Sequence, residues 1–240
     1  MADDKRPGLA KVLEQLEKHY GAQKAVGPDG PYEMILFVNS AYPATDISCA
    51  KGYEALKAAV GTKPEQILKA AKGKLVKAAR LGGMLPEMRV ERWKLIARMA
   101  KKEFGGDLDG ALKKLMKEEK TPKEKRLRAV KNALQKFPVI GEPGAEKIVL
   151  FAGLAPVAAV PSACAGVPQR ILFGHEEKNY AKGYRAARDK IAAEVPEEFA
   201  ARRRAYLLLK KHGQEICKRT KPKCEICPVS GMCAYFWKNP

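Results

Sequence analysis

The chain has 240 residues, enough for one large or two small domains, and its 46% hydrophobic and 30% charged content is that of a globular rather than a disordered protein. Lys and Arg number 46 against 27 Asp and Glu, a formal charge of +19. That excess points first to nucleic acid as partner, ahead of a solubilising surface or an anionic membrane. The longest uncharged run, residues 148–168, is broken by Gly153, Pro156, Pro161, Gly166 and Pro168, so no membrane span is expected. The start, MADDKRPG, shows no signal-peptide pattern, and the expected location is the cytoplasm, with nucleoid association in a prokaryote.

In chain order the pattern is helix after helix. Residues 8–20 place Leu9, Val12, Leu13, Leu16 and Tyr20 at helical spacing, and Gly21 ends the run. Residues 22–31 are a Gly/Pro-punctuated connector. Residues 32–39 (YEMILFVN) are apolar almost all round, which predicts a buried helix. After a turn at 40–45, Asp46 is placed to cap a helix over 47–60. Thr62 and Glu65 offer a capping-box start for 64–71. Further helices are predicted over 88–104, 108–117 and 123–137. The basic stretches 69–80, 113–131 and 202–223 read mainly as solvated helix faces. Runs with strand alternation are absent from the sequence, and the expected class is all-α.

Residues 134–150 read LQKFPVIGEPGAEKIVL: an apolar helix end, a tight turn with Pro138 and Gly141, then Ala145, Ile148 and Val149 at helical spacing. Such a turn, joined to the dipole of the next helix, presents backbone N–H groups to a phosphate without reading base sequence. The candidate DNA-contacting residues are Val139, Ile140, Gly141, Gly144 and Lys147. An ordinary helical turn is the competing reading.

Four of the six cysteines, Cys217, Cys224, Cys227 and Cys233, are spaced C-x6-C-x2-C-x5-C in a loop of Lys, Arg, Pro and Glu. That loop is too polar for core, and disulfides do not suit a reduced compartment. Thiols so close together suit a soft centre, a zinc ion or an iron–sulfur cluster; a single C-x2-C with longer flanks favours a [4Fe-4S] cluster over paired zinc knuckles.

The hairpin at 137–145 followed by this cysteine spacing resembles the endonuclease III branch of the helix–hairpin–helix DNA glycosylases. Residues 207–213 (LLLKKHG) resemble that family's helix ending in His-Gly, and residues 40–46 faintly echo its S-A-Q-A-T-D turn, with Tyr42 near the Gln. The resemblance implies a six-helix barrel domain at 30–150 containing the hairpin. It also implies a cluster domain formed by 1–29 with 151–240, and a DNA-binding cleft between the two. Double-stranded DNA is the implied partner, bound by a monomer.

Family enzymes flip a damaged base and cleave its glycosidic bond, a carboxylate stabilising the cationic sugar. Here the chain departs from the pattern. The family's Asp position reads Pro161, the Schiff-base Lys of bifunctional members reads Pro143, and no Asp lies between Asp109 and Asp189. The first hairpin Gly is Val139, which resists positive φ. Glu142 and Glu146 read as helix-terminal and exposed charges rather than replacements. Lys147 lies on another helix face from the family Lys. His19, His175 and His212 read as scattered capping or packing residues, and Cys49 and Cys164 as buried small ones, with a reactive thiol at Cys164 the alternative. Tyr42 reads as a packed turn aromatic, with a base-gap wedge the alternative. Three functions are open: a DNA-binding relative without standard chemistry and with no catalytic residue, a glycosylase using a non-standard carboxylate, or a redox-responsive cluster protein localised by DNA.

Overall fold

The computed structural model describes residues 8–239, and the charged N-terminal octapeptide's first seven residues lie outside them. All regular elements among the described residues are helical. The chain divides into two units, Met1–Ala25 with Ala155–Pro240, and Val26–Leu154. No helix among the described residues is long and apolar enough to cross a membrane.

The Val26–Leu154 unit carries α2 (Pro31–Asn39), α3 (Asp46–Ala59), α4 (Pro64–Lys69), α5 (Lys72–Arg80), α6 (Pro86–Phe104), α7 (Leu108–Lys117), α8 (Lys123–Gln135) and α9 (Glu142–Phe151). These are eight helical segments where the resemblance implies six; Ala70 and Ala71, both outside regular helix, separate the short α4 from the short α5. Helix α2 is the hub. It buries Tyr32, Met34, Ile35, Leu36 and Phe37, as its all-round apolar sequence requires, and packs on α3, α6, α7 and α9. Trp93 of α6 is fully buried and donates its indole N–H to the Leu36 carbonyl at 3.4 Å.

Local details differ from the sequence expectations. Thr45, not Asp46, caps α3, its hydroxyl accepting from the Ser48 N–H at 3.3 Å, because the helix begins one residue earlier. Thr62 caps nothing; its hydroxyl donates to Glu33 Oε1 at 2.7 Å, and Gln66 Oε1 instead accepts from the Lys63 N–H at 3.1 Å. Helix α5 was hidden in a stretch read only as charge. Its Leu75, Ala78 and Ala79 are nonetheless buried.

The other unit is built from α1 (Leu9–Tyr20), α10 (Gly166–Phe173), α11 (Tyr180–Glu194), α12 (Phe199–Glu215) and α13 (Ala234–Lys238). Leu9, Val12, Leu13 and Leu16 form the apolar stripe of α1 and join a core with Tyr184, Ile191, Leu208 and Leu209. Glu194 accepts the Leu9 N–H at 2.6 Å, so α11 supplies the cap that Gly8 cannot. Arg202 is not on a solvated face. It is buried and donates to the carbonyls of Ile191, Ala192 and Pro196 at 2.7–2.9 Å, closing the C-terminal end of α11.

Candidate metal centre and hairpin

The cysteine loop is a series of tight turns that start from the end of α12. The His212 carbonyl accepts from the Cys217 N–H at 2.8 Å, and the Ile216 carbonyl accepts from Lys223 at 3.0 Å. Two 3-10 turns, Cys224–Ile226 and Ser230–Met232, follow; the Cys227 N–H closes the first on the Cys224 carbonyl at 3.3 Å, and the Cys233 N–H closes the second on the Ser230 carbonyl at 3.1 Å. Pro222 and Pro228 help stop this stretch from continuing as helix. All four cysteines line one cavity, together with Arg170 and His212.

All six cysteines are free thiols, so no disulfide competes for them. Among the described residues no three His, Cys, Asp or Glu side chains converge tightly enough to hold a single metal ion. The four cysteines line one cavity, and their single C-x2-C with longer flanks suits a cubane cluster better than paired zinc knuckles. Burial pushes the Cys227 thiol up to about 11, with repulsion from Cys233, Cys217 and Cys224 adding to it. Burial raises the Cys217 and Cys224 thiols as well, and a cationic iron centre reverses that preference. The donor set fits a [4Fe-4S] cluster held by Cys217, Cys224, Cys227 and Cys233. When bound, the cluster supplies a soft covalent tie between the loop's turns and a one-electron couple.

Two side chains that the sequence reading did not assign to the centre reach it. Arg170, 7% exposed, directs Nη1 at Cys217 Sγ (3.7 Å) and at the Lys218 carbonyl (2.8 Å). Its Nη2 donates to the Arg219 carbonyl at 2.6 Å and pairs with Glu176 at 2.5 Å. His212 places Nε2 3.7 Å from Cys227 Sγ and Nδ1 3.0 Å from the Tyr20 hydroxyl. Burial, then the charge of His19, lowers the His212 ring to about 4, so it is neutral. His212 is thus a neighbour of the metal ligands and not a scattered packing residue; its place in the His-Gly ending before the cysteines was the available signal. Arg170 had none. Cys164 is buried with its Sγ 3.7 Å from the Lys210 carbonyl, and burial pushes its thiol upward, which removes the reactive-thiol alternative.

In the other unit, the hairpin keeps its backbone with altered residues. Val139 adopts φ 57, the left-handed region that a glycine would enter freely. The turn is over-determined from both sides. The Asn39 amide donates to the Pro138 carbonyl and to the Ile35 carbonyl, both at 3.0 Å, and Phe137 is buried with its ring 6.1 Å from that of Phe104. Gly141, with φ −88 and ψ −171, is the N-cap of α9. Ile140 is buried and its N–H is spent on the Phe137 carbonyl at 3.2 Å, so it anchors the turn rather than contacting a ligand. The N–H groups of Val139, Gly141 and Gly144 meet no acceptor among the described residues, whereas Pro143, in the first turn of α9, has no N–H to give.

Glu146 was expected to be exposed. It is buried, one turn into α9, and takes Lys131 of α8 at 2.9 Å. Its position follows from helical spacing: Ala145, Ile148 and Val149 set the buried face, and Glu146 falls on that face's α8 side. Lys147 is half-buried and engaged within the protein. Tyr42 is 46% exposed rather than packed in its turn. Beside it runs the α5–α6 loop, held so close that a Cβ on Gly82 would collide with the Ser40 carbonyl. That loop leaves Leu81, Met84 and Leu85 more than 60% exposed. In the cluster unit, Pro161 is buried and precedes a 3-10 turn, Ser162–Cys164. An open cavity lies there, lined by Ser162, Cys164, Glu176 and Glu177 among others.

Residues 217–233 match the family model for the iron–sulfur binding domain of endonuclease III. Among solved structures, the fold matches an endonuclease III–DNA covalent intermediate with TM-score 0.70 and 17% identity over 96% of both chains. A thermostable thymine-DNA glycosylase matches with TM-score 0.67 and 19% identity over 95% of this chain and 96% of that one. The 3-methyladenine DNA glycosylase of H. pylori matches with TM-score 0.61 and 14% identity over 88% of this chain and 99% of that one. No curated protein matches the sequence. The class is thereby defined: an all-helical chain with the fold of endonuclease III and the DNA glycosylases. Within that class it carries the endonuclease III iron–sulfur loop, at the four cysteines the spacing singled out.

Proposed function

We propose that this chain binds distorted or damaged double-stranded DNA as a monomer and does not carry out standard glycosylase or lyase chemistry. The observation that carries this reading is the hairpin itself. It retains a left-handed residue at 139 and bare N–H groups at Gly141 and Gly144, while the amine position is Pro143. A phosphate needs only those N–H groups and the α9 dipole; a Schiff base needs a side-chain amine that this helix turn lacks. Pro161 likewise offers no carboxylate to a cationic sugar. Support on the binding side comes from the exposed Lys218, Arg219, Lys221 and Lys223 of the cysteine loop and from the crest of Tyr42, Met84 and Leu85. Apolar side chains on such a crest suit insertion at an already weakened base step. Its action in the cytoplasm, on the nucleoid in a prokaryote, belongs to the same reading.

The test is duplex binding at several salt concentrations, with intact, mismatched and abasic-analogue duplexes. Affinity should fall steeply with salt, with a log–log slope of about −3 or steeper, as several phosphate contacts require. Distorted duplexes should bind more tightly than intact ones. A slope near zero contradicts the reading.

A second reading has one specific support. Glu176 and Glu177 line the open cavity next to the Pro161 turn, and Arg170 holds the Glu176 carboxylate in place. If this chain excises a base, Glu176 is the carboxylate in position to steady the sugar cation. Glu176→Gln then abolishes excision while leaving iron content unchanged.

A further inference from the structure

We infer that Tyr20 and His212 form a hydrogen-bond relay that fixes an imidazole N–H on the Cys227 sulfur and thereby raises the reduction potential of the cluster bound there. The inference rests on the [4Fe-4S] reading of the four cysteines and goes beyond it, since holding a cluster requires neither residue.

Three elements meet at this ring. His212 lies in the last turn of α12, 1% exposed, and its carbonyl already fixes the N–H of the first ligand, Cys217, at 2.8 Å. Its side chain turns to the third ligand, with Nε2 3.7 Å from Cys227 Sγ. Tyr20 is the final residue of α1, and its hydroxyl stands 3.0 Å from Nδ1, the two rings 6.0 Å apart and tilted by 58°. Glu194 on the Leu9 N–H and Glu17 on Arg204 (2.8 Å) tie α1 to α11 and α12, so the hydroxyl is carried by a docked helix.

The proton positions follow from the chemistry of the ends. A thiolate bound to iron can only accept, so the ring nitrogen facing it is stabilised when it bears hydrogen. With the proton on Nε2, Nδ1 is a bare acceptor. Tyr20 meets it with an O–H donor. Without that hydroxyl the ring is free to take the other tautomer, which would turn a lone pair toward the sulfur. The phenol therefore selects the tautomer, as outer-shell partners of metal-bound residues do elsewhere.

The consequence is electronic. An N–H···S bond draws charge from the sulfur and stabilises the cluster state that holds one more electron, so the potential rises. The couple exchanges one electron with an external donor or electrode, and no proton crosses the relay. Arg170 gives Cys217 a second donor at 3.7 Å, but its other bonds go to loop carbonyls and Glu176, so it locks the loop whatever its effect on the cluster.

The experiment uses the full-length protein purified with its cluster. Wild type is first checked for about four iron per chain; a colourless wild type refutes the cluster assignment and is distinguishable from failure of the relay. Tyr20→Phe keeps the ring and removes only the hydroxyl. At a fixed potential near the wild-type midpoint, it should shift the oxidised-to-reduced ratio toward the oxidised form by about threefold to tenfold, tenfold being about 59 mV for one electron. Iron content should stay at the wild-type value. Resonance Raman should show a smaller H2O-to-D2O shift of the iron–thiolate stretch than in wild type. His212→Phe should lower the potential at least as far, and adding Tyr20→Phe to it should change nothing more. An unchanged midpoint and isotope shift in Tyr20→Phe overturn the relay, and so does loss of the cluster in that variant, which would make the contact one of packing.

Discussion

The cysteine loop and the hairpin, one in each unit of the chain, preserve different things. The loop keeps its side chains: four sulfurs around one cavity, with Arg170 and His212 directed at two of them. The hairpin keeps its backbone while its side chains have changed, with Val139 in a left-handed conformation and Pro143 in the first helical turn. Coordination chemistry depends on atoms beyond Cβ, so a lost cysteine is a lost ligand. Phosphate binding by a helix N-terminus depends on N–H directions, which survive replacement of almost any side chain. A chain with both therefore has a metal-tied scaffold and a turn suited to a phosphate, and neither requires catalysis.

If the contrast is sound, substitutions in the two regions should differ in kind. The largest effect is expected from Cys227→Ala. Iron should fall from about four per chain to near zero and the cluster unit's melting transition should be lost, since binding of such a centre is itself folding energy. Visible absorption, iron analysis and calorimetry measure this; retained iron would break the ligand assignment. In the hairpin unit, Glu146→Ala leaves Lys131 without its partner, and should cost about 2–3 kcal/mol by denaturant unfolding, less than for a fully buried pair because Lys131 is 21% exposed. Cluster absorption should not change.

Both outcomes bear on what could be read from the sequence. Helix positions and the cysteine ligands were legible because each is written in spacing: the α1 stripe, the apolar α2 and the C-x6-C-x2-C-x5-C loop. Residues that act through tertiary contact were not. Arg170 lies about fifty residues from the loop carbonyls it holds, and Arg202 sits in a run that resembles any solvated basic face. Glu146 was read as exposed because its partner comes from the preceding helix, and Thr62 because Glu33 reaches it from α2. The strain at Val139 could be anticipated, but whether the backbone would yield or the turn would rearrange depended on Asn39 and Phe137, which hold it from outside the motif.

Smaller effects refine the contrast. Replacing Met84 and Leu85 together by Ser should leave stability nearly unchanged, since both are exposed, and should reduce the preference for distorted over intact duplex roughly tenfold, by about 1.4 kcal/mol. Fluorescence anisotropy with the two duplexes reads it. Val139→Gly should stabilise by about 0.5–1 kcal/mol, the relief of left-handed strain less the added freedom of the unfolded chain. Its DNA affinity should hold or rise. A destabilised glycine variant would mean that the valine side chain contributes packing that outweighs the strain.

The most direct test of the whole account is base and strand release with protein in excess over duplex, across oxidised, alkylated, deaminated and abasic substrates. The account predicts measurable binding with no excision of any base and no strand cleavage. Release of any one base, or cleavage of any one strand, would contradict it.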